Sequence, residues 1–130
     1  MSAGKRFSIA HTTKGRPPRL PFSAIKKDIL GARYTLSLVF VGEKRSADLN
    51  KTYRGKNRAA NVLAFPLARD EGEIYITPAR ARKDARLFQK GYNDFVGFLF
   101  IHACLHLKGM RHGRAMEKEE ERFFKKYFRT

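Results

Sequence analysis

The sequence predicts an α+β fold: a single domain over residues 1–130, with a small mixed β-sheet packed by helices and one central buried helix. Three observations point there. "YTLSLVFVG" alternates Leu36, Leu38 and Phe40 with their neighbours, the period of a strand that buries one face. "DFVGFLFIHACLHLKG", from Asp94 to Gly109, is apolar on both sides of a helix, which suits an interior helix. Strand and helix patterns are interspersed, and several connections are short, which favours a mixed sheet.

Each element has a local reason. "KRFSIAHT" sets Phe7 and Ile9 against polar neighbours and reads as a strand. "KGRPPRLP" is a turn-rich basic linker. "FSAIKKDILG" places Phe22, Ile25 and Ile29 at helical spacing and stops at Gly31. After the Leu36–Phe40 strand, "EKRSADLNKTYRG" reads as a short helix ending at Gly55. "NVLAFP" is a short apolar strand closed by Pro66, and "GEIYITP" is another with Ile74 and Ile76 on one face. Thr77 is expected as the N-cap, and Pro78 as the first residue, of a helix through "ARARKDARLFQK" that pauses at Gly91. Asn93 or Asp94 is expected to cap the interior helix. "MEKEEERFFKKYF" is helical, its acidic start and basic end suiting the helix dipole. Met116, Phe123 and Tyr127 share a stripe on it.

Composition bounds the function. At 130 residues and 42% hydrophobic, the chain can bury a core without staples. The lone Cys104 excludes an internal disulfide and fits a reducing compartment. The first twenty residues have no apolar core or cleavage site of a signal peptide, and the most apolar stretch, Phe95 to Leu107, is too short to span a bilayer. A soluble cytoplasmic protein without a membrane partner is expected. Lys and Arg number 28 against 12 Asp and Glu, a formal net charge of +16. So strong a field attracts polyanions, and nucleic acid is the commonest. Nothing in it implies DNA specifically.

Three of the four histidines fall within "HACLHLKGMRH". His102 and His106 are four apart, which stacks both imidazoles on one helix face, about a turn apart. Gly109 permits a left-handed helix stop, and the turn it allows can bring His112 to the same ion. Three nitrogen ligands leave a tetrahedral position open, as in catalytic zinc sites. Zinc is the metal expected, one per chain, with another divalent ion such as nickel as the alternative. Cys104 lies between the helical histidines and points to the opposite side, as a buried small hydrophobe. The spacing also matches zinc proteases of the HExxHxxGxxH type, which need a glutamate directly after the first histidine. Ala103 stands there and cannot act as their base.

Two further stretches, "LNKTYRGKNRAANVLAFP" and "GEIYIT", complete a pattern. With "HACLHLKGMRH" they resemble, in order and spacing, the YbeY family of metal-dependent endoribonucleases of ribosomal RNA maturation. The resemblance runs from about residue 34 through the C-terminal helix. It implies zinc ligands at His102, His106 and His112, and a functional arginine at Arg54 in the "YR" pair. His102 and Arg54 then belong to the catalytic centre. It further implies a cytoplasmic single-strand endoribonuclease that processes small-subunit ribosomal RNA and supports ribosome quality control. The fold it implies is α+β, with the histidine helix flooring a cleft beside the sheet.

The chain departs from the family pattern at Asn57 (usually aspartate), Ala60 (threonine), Ala64 (serine) and Ala103 (glycine), and at Met110-Arg111 (Tyr-Asp). The lost aspartate removes an acceptor for the second ring nitrogen of His112. Arg111 adds positive charge beside it.

An ion held by three histidines can activate a water and polarise a phosphoryl oxygen. Arg54 can stabilise charge on phosphate through paired hydrogen bonds. Lys56, Arg58 and Arg111 read as phosphate-positioning charges. The base is open: none is needed, or Glu73 serves. Attack by the RNA 2′-hydroxyl stays open beside attack by water. The rival readings are a non-catalytic ribosome-associated RNA-binding protein with a structural metal site, and a metal hydrolase on a small phosphoester or peptide.

Overall fold

The computed structural model describes residues 6–129, so the outermost ends of the predicted 1–130 unit lie outside it. The order is β1 (Phe7–His11), α1 (Phe22–Leu30), β2 (Thr35–Phe40), α2 (Glu43–Arg54), β3 (Val62–Ala68), β4 (Glu71–Ile76), α3 (Pro78–Leu87), α4 (Tyr92–Lys108) and α5 (Arg114–Phe128). The four strands form one mixed sheet in the order β1-β2-β4-β3. β1 and β4 run parallel to β2, and β3 is antiparallel to β4. This is the α+β class that the sequence predicts.

Alternation and register together make the core. Leu36, Leu38 and Phe40 of β2 are each no more than 1% exposed, and Leu38 and Phe40 pair with Ile74 and Ile76 of β4. Their shared face packs on α1 and α4, in one cluster with Phe22, Ile25, Phe95 and Phe100. Burying such a side chain contributes about 1.5–3 kcal/mol. The Phe100 ring stands edge-on to Phe22, 5.0 Å between centroids, and 6.1 Å from Phe7. The apolar pattern of α4 is thus explained: sheet, α1 and α5 cover it from different sides. Cys104 is fully buried within it, and burial pushes its thiol pKa up, as befits an inert small hydrophobe.

Four boundaries differ from expectation. Pro66 does not close its strand: β3 continues to Ala68 with a register shift between Pro66 and Ala68. β3 is an edge strand, so a proline there need not break an interior ladder. α3 stops at Leu87 rather than Lys90, and Gln89 takes a positive φ of 54°. Thr77 does occupy the N-cap position before Pro78, but its side chain makes no cap bond; its backbone N–H donates to Asn61 instead. α4 begins at Tyr92 with Gly91 as N-cap, ahead of Asn93 and Asp94, because the Gly91 carbonyl already accepts from Phe95 N–H. α5 likewise starts at Arg114, two residues before the apolar stripe shows it.

Candidate metal centre and its cleft

α4 delivers two of the three histidines. His102 and His106 share its last turns, and their Nε2 atoms lie 3.1 Å apart. The helix ends at Gly109 (φ 109°, left-handed), whose N–H bonds back to His106 and Leu105 carbonyls. Gly113, at φ 154°, closes the short loop before α5. Between these two glycines the chain turns back and brings His112 against the helix. Its ring centroid lies 4.7 Å from that of His106 and 5.2 Å from that of His102. One ring nitrogen from each of the three falls within 4.8 Å of the others.

A carboxylate that the sequence reading missed orients this set. Glu120 of α5, only 9% exposed, accepts a hydrogen bond from His102 Nδ1. A carboxylate only accepts, so the proton sits on Nδ1 and His102 Nε2 presents a lone pair to the other imidazoles. Phe98, one turn before, stacks over His102 at 6.4 Å and limits its swing. One signal could have revealed Glu120. It lies four residues after Met116 and three before Phe123, on the buried stripe of an otherwise exposed acidic run.

The donor set fits a metal ion. Two nitrogens at about 2.0–2.1 Å from a tetrahedral zinc lie roughly 3.3 Å apart, close to the separation of the His102 and His106 nitrogens. The pKa of His106 is held below the usual histidine value, chiefly by burial and then by the facing His102 and His112 rings. A Met110 backbone hydrogen bond and the Glu120 charge oppose this. A neutral imidazole is the ligating form. Among the described residues, these three form the only such group of potential ligands found.

The histidines open into a cleft of about 610 Å³ between α4, β3 and the end of α2. Arg54, in the last turn of α2, lines the same cleft, as do Tyr53, Asn61 and Ala103. Local chemistry holds that wall. The buried Ser46 hydroxyl donates to the Ala60 carbonyl at 3.0 Å and accepts from its N–H at 2.9 Å. Buried Asn50 donates through Nδ2 to the Arg58 carbonyl at 2.9 Å. The loop after Gly55 is therefore pinned back onto α2.

The other sequence-predicted residues lie elsewhere. Lys56 and Arg58 are exposed and flank a separate shallow depression with Asn57. Arg111 is exposed beside His112 but does not line the cleft. Glu73 accepts from the Tyr75 hydroxyl at 3.0 Å and is not a cleft residue. Among the described residues no carboxylate lines the cleft, and Arg54 is the one permanently charged side chain that does.

Comparison with known proteins identifies the family. A family model described as Endoribonuclease YbeY matches residues 20–128. The Endoribonuclease YbeY of Alkaliphilus metalliredigens is 36% identical over 100 residues, covering 68% of this chain and 64% of that protein. That of Cupriavidus necator is 35% identical over 111 residues, covering 82% of this chain and 56% of that one. The chain thus spans roughly three fifths of the length of these two relatives. The solution structure of TM1509 from Thermotoga maritima superposes with a TM-score of 0.66 at 25% identity, over 92% of this chain and 87% of that one. No described helix is long and apolar enough to cross a membrane. The match of the family model over most of the chain, on a fold shared with TM1509, means that this chain belongs to the YbeY family.

Proposed function

We propose that this chain is a zinc-dependent, single-strand endoribonuclease, one domain over residues 1–130. It would act in the cytoplasm, in small-subunit ribosomal RNA processing and ribosome quality control. The observation that carries the reading is the meeting of His102, His106, His112 and Arg54 in one open cleft. Three ligands rather than four favour a catalytic over a purely structural metal site.

The residues divide the work. His102, His106 and His112 would hold the ion, and Glu120 keeps the His102 proton on Nδ1 so that Nε2 can ligate. When bound, zinc supplies Lewis acidity toward a phosphoryl oxygen and lowers the pKa of a coordinated water. Arg54 would grip the scissile phosphate by paired hydrogen bonds and stabilise charge that develops there. Among the described residues no carboxylate lines the cleft, so its wall carries no negative side chain to repel a phosphate. Lys56, Arg58 and Arg111 would hold flanking phosphates outside the cleft. The +16 charge favours RNA over a small phosphoester or a peptide.

The test is cleavage of a precursor small-subunit ribosomal RNA by zinc-loaded protein and by Arg54→Ala. The expected loss is roughly a hundredfold or more in rate with metal content unchanged. Equal cleavage by the two proteins would remove Arg54 from the mechanism. Absence of cleavage by either would favour the binding-protein reading.

A further inference from the structure

We propose that Tyr53 is a nucleobase-stacking platform at the mouth of the cleft, and that it selects unpaired RNA. The inference rests on the ribonuclease reading above and names how that site tells single strands from duplex. Tyr53 is 67% exposed, among the most exposed large apolar side chains described. Its neighbours explain why it is nevertheless fixed. The Tyr53 ring leans on Phe65, 5.1 Å between centroids, and Phe65 packs edge-on against Tyr75 at 5.9 Å. The Tyr75 hydroxyl is tied to Glu73 at 3.0 Å. A ring braced from behind loses little freedom when a second ring stacks on its open side.

Position supplies the occupant. Tyr53 and Phe65 both line the histidine cleft, and Tyr53 directly precedes Arg54 on the last turn of α2. If Arg54 grips a phosphate, a base attached to the adjacent sugar comes within reach of Tyr53. Lys51, Lys56 and Arg58, all exposed and within five residues of Tyr53 in the chain, suit the polyanionic strand that carries the base. Stacking demands an exposed π-face, which a base inside a helix does not offer. Every base has such a face, so the platform would prefer unpaired nucleotides without reading their identity.

The experiment measures affinity of the zinc-loaded protein for a short 2′-O-methylated single-stranded RNA with phosphorothioate linkages, by fluorescence anisotropy, with the RNA shown intact on a gel after each titration. Wild type, Tyr53→Phe and Tyr53→Ala are compared on the intact oligonucleotide and on a set with one abasic position each. Tyr53→Ala is expected to weaken binding roughly 5- to 150-fold, and Tyr53→Phe to bind as wild type. One abasic position should weaken wild type by a similar factor and leave Tyr53→Ala unaffected. Circular dichroism should be unchanged, given the exposure of the ring. Equal affinity of Tyr53→Ala and wild type would overturn the platform and leave the ribonuclease reading intact. So would abasic losses that are the same in both proteins. Failure of wild type to bind the oligonucleotide at all would overturn both.

Discussion

The candidate metal centre has two unlike halves. His102 and His106 stand on a helix buried on its other sides, and His102 is gripped from behind by Glu120 and covered by Phe98. His112 hangs in an exposed loop between two glycines of positive φ, and among the described residues it has no hydrogen-bond partner. One half is preorganised by packing and by a carboxylate. The other depends on backbone conformation alone. The two halves would therefore hold an ion unevenly: the helical pair is preorganised to receive it, and His112 would complete the set from the loop.

Removing a helical ligand should have the largest effect. His106→Ala is expected to lose stoichiometric metal and, with it, RNA cleavage, while far-ultraviolet circular dichroism stays as in wild type. Next comes the support behind His102. Glu120→Gln should weaken zinc affinity about 10- to 100-fold, read by competition with a chelator of known affinity. An unchanged affinity would mean that the carboxylate only fills space, and the contrast between the halves would collapse.

The loop half can be improved rather than broken. Arg111→Asp should restore an acceptor beside His112 and tighten zinc by up to about tenfold, with Arg111→Ala separating that bond from the removal of a positive charge. If both variants gain equally, electrostatics alone explains the gain. A smaller effect concerns the metal-free protein. The His106 pKa is depressed in the fold, so the unfolded chain binds more protons between the folded value and the usual histidine value. Stability is full above the usual value and falls as the pH drops through that window. His106→Gln should flatten this dependence in urea titrations across mildly acidic pH.

The two halves also differ in how legible they were. The helical histidines were readable because spacing four on an apolar helix has one geometric meaning. His112 was readable through Gly109, whose left-handed conformation the sequence announces. Glu120 was not, because its partner is eighteen residues away across a turn and it sits among other acids. Only its phase against Met116 and Phe123 distinguishes it from the half-buried Glu119 and the exposed Glu121. Arg54 was legible only by family resemblance: no periodicity says that the end of α2 reaches the end of α4. In the fold, strand alternation and apolar helix faces carried over well. The strand through Pro66 did not, since whether a strand lies at an edge is a property of the whole sheet.

The most direct test of the centre is metal content per chain, by elemental analysis of the purified protein and of His106→Ala side by side. One zinc per chain in wild type, and almost none in the variant with its circular dichroism intact, is the result expected. No stoichiometric metal in wild type, or equal metal in both, would mean that the three imidazoles are a packed helix end and not a metal site.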